Sequence, residues 1–125
     1  MENEAVGSYR DFPSQRRMLE RILEKLSRED LPGKPYLEQY FRHMHRRDLT
    51  ANILRAAETS LRGFLTLLKN QGKTDLLTIV HSDLEAFVES LQDRGLKPLG
   101  VENKLRQVKT FLRYLIEGKV ISSEI

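Results

Sequence analysis

Apolar residues in this chain recur every third or fourth position in five separate stretches, and nowhere do they alternate long enough to make a useful strand. At roughly 100° per residue such a rhythm gathers apolar side chains along one side of a helix, so the expected fold is all-α. The pattern is clearest from Leu99 to Ile121, where Val101, Leu105, Val108, Leu112 and Leu115 fall on one face with Phe111 beside them. Earlier, Thr50 caps a long helix whose stripe is Ile53, Ala57, Leu61, Phe64 and Leu68, widened by Leu54 and Leu65 and ended by Gly72. Leu37, Tyr40, Phe41 and Met44 share one side of a helix running from Pro35 or Tyr36 to about Arg46. Met18, Ile22, Leu23 and Leu26 do the same in a helix from a capping Ser14 to about Arg28. SDLE, at Ser82 to Glu85, reads as a capping box ahead of Leu84, Phe87, Val88 and Leu91, and Gly95 stops that helix.

The breaks divide the chain. Residues 1–13 lack periodicity and are expected as a flexible tail, residues 14–33 as an additional N-terminal helix and a hinge at LPGKP, and residues 34–125 as the main helical domain. In the connection from Lys73 to His81, Leu76, Leu77, Ile79 and Val80 are expected to tuck beneath the helices.

A chain of 125 residues holds about one domain with a modest core. It has no cysteine, which removes disulfides, thiolate nucleophiles and cysteine-ligated metals together and suits a reducing interior. No apolar run reaches the length of about 18 residues that a membrane span needs, and the opening MENEAVGSYRDF lacks the order of a secretion signal. The expected location is cytoplasmic, with no membrane partner. His43, His45 and His81 lack metal-ligand spacing, because positions two apart on a helix point to different sides. A phosphate-cradling glycine loop, a nucleophile elbow and a carboxylate pair on an apolar surface are also missing, so no catalytic residue, metal or cofactor is expected in this chain.

Charge is distributed unevenly. Lys and Arg number 21 against 18 Asp and Glu, a formal charge of +3. The third helix carries Arg55, Arg62 and Lys69 against Glu58, and the fifth carries Lys104, Arg106, Lys109 and Arg113 against Glu102 and Glu117, so each nets +2. Between them, Ser82 to Arg94 holds Asp83, Glu85, Glu89 and Asp93 against Arg94 alone, a solvated acidic face. On the third helix the three cations are heptad-spaced, with Thr59 and Thr66 nearly on the same line. On the fifth, Arg106, Lys109 and Arg113 project opposite the apolar stripe, with Asn103 and Thr110 as neutral donors beside them. Lys104 lies at the edge of that stripe, where its stem can cover apolar surface. Tyr114 and Gln107 flank the other edge, as packed groups or within reach of sugar and base edges. Any water-facing helix carries some Lys and Arg. Two helices with aligned cations instead suit a regular row of phosphates, as in duplex DNA, provided both rows face a common side.

Four segments occur in order from Lys34 onward: YLEQYF, then LRGFLTLLKNQGK ending the Thr-capped helix, then LLTIVHSDLEAFVESLQDRG, then LGVENKLRQVKTFLRYLIEGKVI. Their order and spacing resemble the N-terminal core-binding domain of tyrosine recombinases, the phage integrase and chromosome-dimer-resolution family, over roughly three quarters of the chain. The resemblance implies a small four-helix SAM-like bundle, here with an additional N-terminal helix. It also implies that the domain forms half of a C-shaped clamp and lays its third and fifth helices across the major groove of a recombination core site. A C-terminal catalytic domain with an arginine and histidine set and a nucleophilic tyrosine is a further implied partner, as is self-association on DNA. Two features depart from the family pattern: Ser122 to Ile125 stands where a Pro commonly follows, and the helix from Ser14 to Arg28 has no place in the minimal pattern. An all-helical protein-interaction or assembly module is the alternative, suggested by the charge-rich first helix and the opposite-signed faces. A helix-turn-helix regulator is disfavoured because no tight two-helix unit leads into a basic recognition helix.

Overall fold

The structure is a computed structural model that describes residues 12–122. Among the described residues there are five α-helices and no strand: α1 Phe12–Ser27, α2 Lys34–Arg46, α3 Ala51–Asn70, α4 His81–Asp93 and α5 Pro98–Glu117, with a short 3-10 turn at Leu76–Thr78. The expected tail lies almost wholly outside the described residues. The helices fall into two compact units, one made of α1, α2 and residues 51–58 of α3, the other of residues 31–33, 59–70 of α3 and everything after.

In the first unit α1 packs against α2. Met18, Leu19, Ile22 and Leu26 are buried on α1, and Leu37, Tyr40, Phe41 and Met44 on α2, so the helical spacing was a correct guide to both faces, although Leu23 is only half-buried. Helix α1 begins at Phe12, which puts the expected cap Ser14 inside the first turn, where its Oγ accepts from the Arg17 guanidinium at 3.1 Å. Gln15 is buried, and its amide nitrogen donates to the backbone oxygens of Leu49 at 2.9 Å and Asp48 at 3.4 Å. That side chain clamps α1 to the α2–α3 turn, where Asp48 takes a left-handed φ of 62° that aspartate tolerates better than most residues. Glu58 is also buried and lies 3.8 Å from Lys25 of α1.

Thr50 caps α3 as expected, its Oγ1 accepting the Ile53 N–H at 3.2 Å. Ile53 itself is 42% exposed rather than part of the core. It stands in the first turn at the margin of the buried arc, whose middle is set by Leu54, Ala57, Leu61, Leu65 and Leu68. In the second unit Phe64 of α3 meets Phe87 of α4 edge-on, with ring centroids 5.5 Å apart, and α4 packs against α5 through a core that includes Leu91, Val108, Phe111 and Leu115. On α5, Leu105 is half-buried because it sits at the rim of the apolar arc that Val101, Val108, Leu112 and Leu115 occupy.

The connection after α3 is only partly tucked in. Leu76 and Ile79 are buried, whereas Leu77 is 68% exposed and Val80 49% exposed, because a single 3-10 turn can aim only part of an apolar run inward. Helix α4 starts at His81 rather than on the SDLE box. With Val80 as the N-cap, the third helical residue is Asp83, whose Oδ2 accepts the Val80 N–H at 2.8 Å. The same carboxylate takes a 2.8 Å ion pair from Lys73, whose ammonium also donates to the Thr78 carbonyl. Asp83 is therefore a buried staple and not part of a solvated acidic face. At LPGKP, Gly33 turns the chain with a φ of +71°, and a Cβ there would run into the side chain of Leu76.

Candidate nucleic-acid interface

The cationic residues of α3 belong to both units. Arg55 lies in the first, exposed, and lines a groove of about 430 Å³ together with Arg17 and Arg21 of α1 and the first residues of α3. In the second unit, Thr59, Thr66 and Lys69 are exposed and Arg62 is half-buried. Thr59, Arg62 and Thr66 line an open groove of about 400 Å³ whose other wall brings in Asn70 and, from the end of α4, Ser90 and Arg94. Arg94 was counted in the sequence only as an offset to four carboxylates. Its position becomes visible once Gly95, with a φ of +86°, turns the chain immediately beyond the helix.

On α5, Asn103, Arg106, Lys109, Thr110 and Arg113 are all exposed and Lys104 is half-buried, in keeping with a stem laid against apolar surface. Asn103 Oδ1 accepts from Arg106 at 3.3 Å, and Glu102 stands 3.9 Å from the same guanidinium, one helical turn away. Thr110 donates its hydroxyl hydrogen to the Arg106 carbonyl at 2.9 Å. Among the described residues Lys109 and Arg113 have no ion-pair partner. Two solvated guanidinium and ammonium tips on one rod thus keep their charge available, while Arg106 is held in place by neighbours that only partly neutralise it. Among the described residues no three or more His, Asp or Glu side chains come together as a metal site would require. No helix of the described residues is long and apolar enough to cross a membrane.

Comparison with known proteins bears on what such a chain is. Residues 37–119 match the family model for the phage integrase N-terminal SAM-like domain. The chain belongs to that family. It is similar to a tyrosine recombinase XerC from Chlorobaculum parvum (strain DSM 263 / NCIMB 8327), 30% identical over 98 residues, covering 72% of this chain and 29% of the relative. A second tyrosine recombinase XerC, from Chlorobaculum tepidum, is 26% identical over 109 residues, covering 81% of this chain and 32% of the relative. The chain thus spans about a third of the length of the curated relatives it matches. No solved structure matches it. The family model's match starts within α2, so α1 lies outside the residues matched by that model.

Proposed function

We propose that this SAM-like domain binds duplex DNA as the core-binding part of a site-specific tyrosine recombinase, with residues 34–125 as the binding domain. The breaking and rejoining chemistry belongs, on this reading, to a catalytic domain of the same parent protein. The observation that carries the proposal is the row of exposed cations on α5, Arg106, Lys109 and Arg113, set among the neutral donors Asn103 and Thr110. Charged tips spaced along a rigid helix address phosphates irrespective of base sequence and fix the register of a protein on the duplex. Arg55, Thr59, Arg62, Thr66 and Lys69 of α3 are the second set of contacts, and Lys104 supplies a cation from the margin of α5. The two rows together form half of a clamp on the recombination core site, where copies of the parent protein associate.

The test is a salt titration of binding to a duplex fragment followed by fluorescence anisotropy. Each phosphate contact contributes roughly 0.9 to the slope of log affinity against log salt. Replacing Arg106 and Arg113 together by Ala should weaken binding and flatten that slope by roughly 1.8, two contacts at that rate. An unchanged slope would remove α5 from the interface. A protein-interaction module is the second reading, favoured by the exposure of Leu77, Val80 and Leu99 in the second unit. Sedimentation showing a tight dimer indifferent to DNA would favour it over the first.

A further inference from the structure

We infer that the groove where α1 meets the N-terminus of α3 is a phosphate site for the DNA backbone, with Arg17 and Arg21 of the additional helix as its cationic wall; this rests on the DNA-binding reading above.

Arg17 and Arg21 are one helical turn apart on α1, both exposed, and they line the same groove of about 430 Å³ as Arg55. Like charges at that spacing repel, and among the described residues no Asp or Glu lines the groove to offset them. A tetrahedral oxyanion would relieve the repulsion and give each guanidinium the paired acceptors its planar fork prefers. The rest of the lining is suited to the same ligand. Ala51 and Asn52 are the first two residues of α3, so their N–H groups have no acceptor within the helix. Thr50 caps only the Ile53 N–H. Helix α3 is 20 residues long and has no acidic residue in its first turn, so the positive end of its dipole faces this groove without a side-chain counter-charge of its own.

The wall is also placed in advance. Buried Gln15 donates to the Leu49 and Asp48 carbonyls just before α3, which fixes the register of α1 against this helix end two residues before Arg17. The Arg17 guanidinium is steadied by Ser14 Oγ at 3.1 Å. An arginine pair held in this way loses less side-chain freedom on binding than two free surface arginines would. The volume lies within the range of small-ligand clefts, and the lining is polar, which suits a phosphate with its adjoining sugar better than an apolar group.

The experiment uses the whole chain and compares two variants, Arg17→Gln with Arg21→Gln, and Arg106→Ala with Arg113→Ala. Both arginines of α1 are exposed, so the first variant should unfold at the same denaturant concentration as the unchanged chain. Two readouts are taken: the salt slope of binding to a duplex, and the amide NMR signals of Ala51 and Asn52 on adding either duplex or inorganic phosphate. The expected result is that duplex shifts both signals, and that the α1 variant abolishes those shifts and flattens the slope by roughly 0.9 for the one phosphate it releases. If the α1 variant keeps the full slope while the α5 variant loses it, the groove inference is overturned and the DNA reading stands. If phosphate moves Ala51 and Asn52 but duplex does not, the groove takes a free oxyanion and the assignment to the DNA backbone is wrong. If no duplex binds, the DNA reading falls, and this inference with it.

Discussion

Asp83 and Glu85 sit two positions apart on α4, yet they have different jobs. Asp83 is buried, holds the Val80 N–H and pairs with Lys73 at 2.8 Å, while Glu85 is exposed. Removing one member of a buried pair leaves the other charge without compensation, so Asp83→Ala should destabilise the fold by about 3 kcal/mol in urea unfolding. Glu85→Ala should change stability by less than about 0.5 kcal/mol. Equal effects for the two would mean that the Lys73 staple contributes nothing. The staple was not legible in the sequence because its partner lies ten residues back, across a 3-10 turn, and helical periodicity carries no information about such a contact. Gln15 was hidden for the same reason: its carbonyl partners belong to a turn 33 and 34 residues away.

Helices were the most legible feature, and their first turns the least. Leu54, Leu61, Leu65 and Leu68 on α3, and Val108, Phe111 and Leu115 on α5, are buried where a 3.6-residue period puts them. Ile53 and Leu105 depart from it because each stands at the edge of an arc, where coverage depends on what packs nearby and not on the helix itself. The start of α4 lies two residues ahead of the one the SDLE box implies, because Asp83 rather than Glu85 folds back onto the N-cap N–H, with Val80 in the cap position. Between helices, the sequence LPGKP announced a turn, and the structure adds why glycine occupies its centre. At a φ of +71° a Cβ would be strained, and it would also meet Leu76, which is itself buried. Gly33→Ala should therefore cost about 2–4 kcal/mol, combining the left-handed penalty with overpacking. Gly72→Ala, with a φ of +83° but open space around it, should cost only the conformational part, about 1–2 kcal/mol. Equal losses for the two variants would mean that Leu76 yields freely.

Taken as a whole, the chain carries a formal charge of only +3, too small to mark a polyanion-binding protein by itself. What matters is where the charges stand. The outward rows on α3 and α5 could be written down from the sequence by counting residues around a helix. The cations added by tertiary placement could not: Arg94 beside Thr59 and Arg62, and Arg17 with Arg21 beside Arg55. Affiliation with the SAM-like family was legible from the order of four segments, and residues 37–119 match that family's model. Whether the two rows act as one surface is best tested by adding duplex DNA to the isotope-labelled chain at low salt and following every amide signal. Shifts should gather at Arg62, Thr66 and Lys69 on α3 and at Arg106, Lys109 and Arg113 on α5, and should fade together as salt is raised. Shifts centred on Glu85 and Glu89 of α4, or confined to one of the two rows, would contradict the proposed interface.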